Sequence, residues 1–399
     1  MRIGLSPLAR LAVVVVAVFG LLAITTTAGA SIDSVTVVPS PSPGANANNL
    51  DSVSCVSESW CVAVGDDYSV TSDTLMLLWN GTTWTQMTSP ALGGSANVTL
   101  SGVSCATTSW CVAVGKDDTS SPTLSFALSW NGTSWTKMTV PAPGNLSSSL
   151  RSVSCVSASS CIAVGRYDTL SSNGGYVLSW NGSSWSQSST PDDGTFFNDL
   201  YSVSCLSPTS CIAVGETSNI YGGNYLSVAL TWNGSSWTKV APSVVGNSDN
   251  HLNSVSCVSP SSCIAVGTSL NSSFYRETMV LTWNGSAWTV VASPNPSVYD
   301  NYLDSVSCVS ASSCVAVGYA QEASFQNSAL VLSWDGTTWK NVTVSGAETD
   351  TQLMSVSCVS SSWCIGAGDT NAIRTVIVAI TGAATPTTPV DPVAPAFTG

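Results

Sequence analysis

Histidine is almost missing from this sequence: His251 is the one copy in 399 residues. With a single imidazole, set in a link beside Asn250, no nucleophile–histidine–acid set is recognisable, and a copper or zinc centre lacks its usual donors. Charge is scarce too, at 8% of residues, and what there is leans acidic, with 10 Lys and Arg against 23 Asp and Glu. An acidic surface repels phosphate backbones, so nucleic acid and anionic membranes are poor partners. Long apolar runs are absent after the first thirty residues. Unpaired cysteine is absent as well, in a way that organises the rest of the chain.

The fourteen cysteines fall at Cys55/Cys61, Cys105/Cys111, Cys155/Cys161, Cys205/Cys211, Cys257/Cys263, Cys308/Cys314 and Cys358/Cys364, always C-x5-C and 50 to 52 residues from the next pair. Each pair stands alone, without the four donors that zinc needs, and none is left over. In an oxidising compartment this argues for seven disulfides, each joining adjacent strands at the mouth of their hairpin. Export is also what the N-terminus predicts. Arg2 and Arg10 precede an apolar run from Leu11 to Ile24 and small residues to Ala30, the layout of a signal peptide too short to span a bilayer comfortably. Removing residues 1–30 takes two of the ten cations with it. We expect a secreted, extracellular monomer that does not insert into a membrane.

A period near 50 built from short apolar runs and turn residues predicts a radial β-sheet repeat. In the third copy, Ser152 to Val156 reads as a strand, Cys161 to Gly165 as a second strand ending at the glycine, and Tyr176 to Trp180 as a third. Asn181-Gly182 supplies a tight turn, and a fourth strand starts at Trp185. The fold expected is therefore all-β, a seven-bladed propeller with four antiparallel strands per blade, over residues 31–382. The W-[ND]-G-x-x-W signature begins at Trp79, Trp130, Trp180, Trp232, Trp283 and Trp334, and the seventh copy lacks it. Its missing strand is predicted at the other end: residues 34 to 39 pair with 375 to 380 and close the ring. A Pro/Thr-rich tail over 383–399 reads as disordered.

Loop lengths separate the two faces of the disc. C-x5-C and the six-residue Trp signature never vary. The distance from the strand-two glycine to the first Trp runs from 14 to 17, and from the second Trp to the next Cys from 19 to 21. Variable loops on a rigid frame are where specificity usually resides. This side holds the candidate binding residues Tyr167, Phe197, Tyr275, Tyr302 and Tyr319, with acids such as Asp66, Asp67, Asp117, Asp118, Asp192 and Asp193. Flat amphipathic rings and carboxylates suit a sugar or a protein surface, although Tyr and Asp also populate solvated loops without function. Four residues before each first cysteine, the seven copies place Asp51, Ser101, Arg151, Tyr201, Asn253, Asp304 and Met354. Their neighbours repeat and they do not, so a ring of unlike side chains is expected at the channel mouth. The invariant leucines one position earlier read as packing.

No catalytic residue, metal ligand or cofactor is singled out. Calcium is the one ion for which hard donors exist, at Asp66-Asp67 and Asp117-Asp118, without a D-x-D-x-D-G loop. The Asn-Gly-Ser/Thr turns also match the N-glycosylation acceptor, as a by-product of turn chemistry. Trp79 and its counterparts read as inter-blade packing rather than a sugar platform, and His251 as a solvated loop residue.

The S-V-S-C-x5-C-[VI]-A-V-G half followed by W-N-G-[ST]-x-W resembles the repeat of exported, mainly actinobacterial, β-propeller proteins of uncharacterised function, across residues 34 to 381. It is also similar to kelch and BNR (Asp-box) propellers. Ser129 to Trp135 is one residue shorter than the usual Asp-box, and the kelch double glycine is missing. The BNR resemblance implies a sialidase-type arginine triad, drawn here from Arg151, Arg166, Arg276 and Arg374. The function expected is a non-catalytic binding or interaction module for an extracellular glycan or protein. A polysaccharide-active hydrolase or lyase using variable-face acids is the alternative, and a structural role at the cell surface a third.

Overall fold

The computed structural model describes residues 32–382, apart from 44–46, 69–72, 91–96, 120, 144–145, 169–172, 192–196, 219–224, 243–248 and 372. The predicted signal peptide and tail, together with Asp192, Asp193 and the Phe197 side chain, lie outside the described residues. Seven sheets form the ring, each a meander of antiparallel strands. Blade 1 is typical, with an inner strand Ala47–Ser57, a second strand Trp60–Tyr68, a third Asp73–Trp79 and a short outer strand Trp84–Gln86.

The strands are apolar on both faces because every sheet is sandwiched between two others. Val62, Val64 and Met76 of blade 1 pack with Leu100, Ala113, Phe126 and Leu128 of blade 2. Ile365, Ala367 and Ile377 of blade 7 pack with Leu50, Ala63, Leu75 and Leu77 of blade 1, so the last junction is built like the first. A fully buried leucine or valine contributes about 1.5–3 kcal/mol, and each junction holds many.

Polar bonds run round the channel as well. The two serines of each S-V-S segment face the next blade and accept its backbone N–H groups. Ser52 Oγ takes the Val103 N–H at 3.1 Å, and Ser54 Oγ takes the Cys105 N–H at 3.0 Å. Thirteen such bonds join the seven blades, ending with Val53 and Cys55 donating to Ser355 and Ser357. The position without one is Gly102, where a Cβ would meet the Arg151 carbonyl oxygen at 2.8 Å.

Closure follows the predicted route. The strand Ile32–Val38 runs antiparallel to Arg374–Gly382, pairing Val35 with Ile380 and Val38 with Ile377. The sheet also gains a fifth member: Val344–Ser345, in the link leaving blade 6, pairs parallel with the closing strand.

One face of the disc consists of locked turns. The seven disulfides pair as expected, Cys55–Cys61, Cys105–Cys111, Cys155–Cys161, Cys205–Cys211, Cys257–Cys263, Cys308–Cys314 and Cys358–Cys364, each with Cα atoms 4.0 Å apart. Within a pair the cysteines are directly opposed across the two strands, beside a two-residue turn. The first Trp of each signature donates its indole N–H to that turn, as Trp180 does to the Ala158 carbonyl at 3.0 Å. The second Trp rests tilted against the first, with ring centres 5.3 to 5.6 Å apart. In the Asn-Gly turn only the glycine takes a positive φ, near +95°. The Asn side-chain oxygen instead accepts the backbone N–H groups two and three residues on, and Asp335 does the same in blade 6. That acceptor geometry explains why the position takes only Asn or Asp.

Each bridge joins adjacent strands at the mouth of their hairpin, as the sequence predicts, and the second cysteine of each pair also enters the core. Cys61, Cys111, Cys161, Cys211, Cys263, Cys314 and Cys364 are buried, none more than 4% exposed, and each is a member of the apolar cluster at a blade junction. The physical reason is their strand: the second strand is interior to its sheet and covered by a neighbouring blade on either face. The first cysteines, on the inner strand, are only partly buried against the same clusters. The bridges therefore tie the surface turn to the core, and the buried sulfurs have no surface to offer a ligand.

Two strand boundaries also differ from the sequence reading. The inner strand of blade 3 covers Ser148–Ser157, and its second strand, Ser160–Asp168, continues three residues past Gly165. The glycine ends nothing; its position is set by the strand opposite.

Candidate functional site

Every inner strand carries two register shifts, one at the residue after its cysteine, beside the turn, and one at the ring residue. In blade 1, Leu50 opposes Gly65 and Ser52 opposes Val64, so Asp51 is the extra residue; the same step recurs in all seven blades. A bulge re-aims a side chain. It also brings backbone onto the facing strand: a Cβ on Gly65, Gly115, Gly165, Gly215, Gly267, Gly318 or Gly368 would lie 1.9 to 2.1 Å from a carbonyl oxygen. The glycine after the A-V pair is thus a requirement of the bulge.

All seven ring residues line one open bowl of about 650 Å³ at the channel mouth. Asn49, Asp66, Asn97, Thr99, Lys116 and Asp118, from blades 1 and 2, widen it on one side. These six lay unmarked as a group in the sequence, though Asn49 and Asp66 flank the bulge of blade 1 directly. Met354 is the one apolar side chain of the lining.

The bowl is unevenly charged. On the side of blades 2 to 4, Arg151 makes a two-pronged contact with Asp199, at 2.9 and 2.8 Å, and Arg166 reaches the same carboxylate at 3.7 Å. Burial opposes the Arg151 charge, but the Asp199 carboxylate outweighs it and raises the guanidinium pKa. Burial pushes the Asp199 carboxyl up against the pull of the arginine. Arg151 also lies over the Tyr201 ring, 5.0 Å from its centre. Burial, with Asp199 and Glu216 beside it, holds the Tyr201 phenol neutral. Lys116 is paired with Asp118 at 2.7 Å.

On the side of blades 1, 6 and 7 the ring residues include two acids, Asp51 and Asp304. Burial, reinforced by Asp66 and Asp369, pushes the Asp51 carboxyl up to about 8. Burial alone takes Asp304 to about 7, and its Oδ2 is enclosed without a hydrogen-bond partner. Asn253 donates to the Leu303 carbonyl at 3.0 Å and reaches Asp304 Oδ1 at 3.5 Å. At neutral pH these carboxyls are poised between donor and acceptor.

The other candidates divide. Tyr302 and Tyr319 stack at 4.5 Å between ring centres and stand close enough to Asp304 to feel its charge. Tyr167 packs edge-on against Tyr176, inside the junction of blades 2 and 3. Tyr275 meets Tyr299 edge-on, with ring centres 5.6 Å apart, and neither lines the bowl. His251 is not a solvated loop residue: it opens the inner strand of blade 5, its Nδ1 contacts Glu216 of blade 4, and its ring lies over Tyr225. Because Tyr201 bonds to Glu216, that pair is connected to the bowl from behind. The arginine triad implied by the Asp-box likeness does not assemble. Arg276 lies over Tyr302 and Arg374 beside Glu348, on blades apart from Arg151 and Arg166. Among the described residues no three His, Cys, Asp or Glu side chains converge on a metal position.

Outside the bowl the variable face carries exposed apolar tips. Phe274 and Phe325 cap the second-to-third-strand loops of blades 5 and 6 with φ of +64° and +62°, and are 82% and 78% exposed. A bulky residue in the left-handed region costs about 1 kcal/mol or more. Val298, in the link between the same blades, is 82% exposed.

The fold and the bowl define a seven-bladed β-propeller with a polar channel mouth. No family model matches the chain, and no curated protein matches its sequence. Among solved structures it is similar to YCF48 bound to D1 peptide, at 13% identity, 88% of this chain, 99% of that one and a TM-score of 0.54. It is also similar to YCF48 from Cyanidioschyzon merolae, at 14% identity, 87% and 98% coverage and 0.54. The ulvan lyase of polysaccharide lyase family PL25, bound to -[GlcA(1-4)Rha3S]-, follows at 9% identity, 82% and 90% coverage and 0.52. At these identities the likeness extends to the fold alone.

Proposed function

We propose that this chain is an exported, non-catalytic binding propeller that recognises an extracellular glycan or protein through the bowl. The observation that carries the reading is the bulge ring: seven blades alike in nearly every contact present six kinds of side chain, aspartate twice, to one cavity. A scaffold built by repetition that varies at its most accessible convergent point is built for recognition. The polar lining favours hydroxyl-rich sugars or a polar peptide segment, with Tyr201 supplying a ring face. Propeller neighbours that hold a peptide and a polysaccharide support both ligand classes. Seven disulfides, and no helix long and apolar enough to cross a membrane among the described residues, support export. A glycan array and a pull-down from culture medium, each run with wild type, Tyr201→Ala and Asn253→Ala, test the assignment. Ligands lost with the ring substitutions support it; capture that survives both places recognition elsewhere.

One observation favours a second reading, a polysaccharide-active hydrolase or lyase. Asp51 and Asp304 open on the same bowl with pKa values of about 8 and about 7, which suits proton donation near neutrality. Product release from a polysaccharide panel that stops in both Asp51→Asn and Asp304→Asn would favour the enzyme over the binder. Turnover in neither the wild type nor any variant leaves the binding reading in place.

A further inference from the structure

A second recess opens on the variable face, away from the bowl, between the loop tip of blade 6 and the link that leads to blade 7. It encloses about 410 Å³. Its floor is apolar: Ala329, Val342 and Val344 are partly buried against the core at the junction of blades 6 and 7. Its rim carries two exposed carboxylates, Glu322 and Glu348, and no lysine or arginine lines it. Glu322 accepts a hydrogen bond from Ser328 at 2.7 Å, while Arg374 approaches Glu348 no nearer than 3.7 Å, with both side chains about two-thirds exposed. Phe325 belongs to the same loop tip, its backbone N–H donating to the Glu322 carbonyl at 2.9 Å.

We propose that this recess receives a lysine or arginine side chain of a polypeptide partner, with apolar residues on either side of that cation. A long basic side chain matches the lining along its length: methylenes against Ala329, Val342 and Val344, and the charged head between Glu322 and Glu348. The flanking apolar residues meet Phe325 and, one blade back, Phe274 and Val298. Those tips explain the choice of a polypeptide. Three apolar side chains left in solvent, two on a backbone that only a special requirement maintains, ask for apolar cover that a sugar or a small polyamine does not give. A second copy is a poor occupant, because a chain of net charge −13 would bring further acid to an acidic rim. The acidic rim equally disfavours an anionic lipid surface.

Fluorescence anisotropy with the full chain tests the proposal, using labelled peptides of alternating leucine–arginine, leucine–glutamate and serine–arginine. The expected result is binding of the leucine–arginine peptide at least ten-fold tighter than of the other two. Glu322→Gln/Glu348→Gln and Phe325→Ser should each weaken it at least ten-fold, and affinity should fall between 50 and 500 mM salt. Tyr201→Ala, in the bowl, should leave it unchanged, so that failure here and failure of the bowl assignment are read separately. All substituted positions at the recess are exposed, and unchanged thermal melting will show that the fold is intact. Equal binding of the leucine–glutamate peptide, full affinity in the double variant, loss with Tyr201→Ala, or no peptide binding at all would each overturn the proposal. So would phosphatidylcholine vesicles that sediment the protein in a Phe274- and Phe325-dependent way, because the tips would then belong to lipid.

Discussion

The two faces of the disc are made from the same seven repeats and obey opposite rules. On the turn face the same partners recur: cysteine opposes cysteine, the indole N–H of the first Trp meets the turn carbonyl, and the Asn oxygen collects two N–H groups. On the variable face the loops differ in length, and what repeats is a bulge in each inner strand whose released side chain is of six kinds over the seven blades. Repetition there specifies a position and leaves its chemistry free. Binding surfaces on propellers can therefore change residue by residue without disturbing the frame beneath them.

That contrast can be broken most severely from the frame side. Gly165→Ala puts a Cβ 2.0 Å from the Ser149 carbonyl oxygen, so the bulge of blade 3 must open. A loss of about 4 kcal/mol or more in chemical denaturation, or failure to fold, is expected. Next comes Cys155→Ser/Cys161→Ser, which frees a short loop and should cost roughly 2 kcal/mol in the same assay. An equal cost in each of the seven blades would confirm that the turn face is uniform.

The bowl should reveal itself through pH. Asp51 and Asp304 keep their protons to about 8 and about 7 when folded, against 3.8 for an ordinary aspartate. Between those values the folded chain binds more protons than the unfolded one. Stability contributed by these groups is therefore full near pH 4 and is lost as pH rises to about 8, with a slope of up to ~1.4 kcal/mol per pH unit for each group. Melting curves from pH 4 to 9 should show the decline, and Asp304→Asn should flatten it between 4 and 7. A stability that instead rises over that range would contradict the burial of both carboxyls. Smallest of all, Ser101→Ala on the ring should change stability by no more than about 0.5 kcal/mol, which sharpens the claim that ring identity is free of the frame.

The repeat, the blade count, the closing strand and the ring were all legible in the sequence, because each depends on spacing along one chain. What stayed hidden depends on partners across strands. Leu-x-Ser reads as ordinary strand alternation until Gly65 is seen opposite Leu50 and the extra residue becomes a bulge. The S-V-S serines look like small strand filler; their role as acceptors exists only once the next blade stands beside them. His251 looked solvated because the carboxylate it meets, Glu216, lies 35 residues earlier in a different blade. The recess between blades 6 and 7 was likewise invisible, since its floor and rim come from a loop and a link separated in sequence by two strands.

The strand Ile32–Val38 completes a sheet whose other members all lie beyond residue 343. Six blades can form as their own residues become available, whereas the seventh must wait for the distant end of the polypeptide to arrive. Removing Ile32–Val38 leaves blade 7 with an open edge and unbuttons the circle at that one seam. Conversely, fusing 382 to 32 through a short connector and cutting the chain in another link should give a permuted ring whose seam has simply moved.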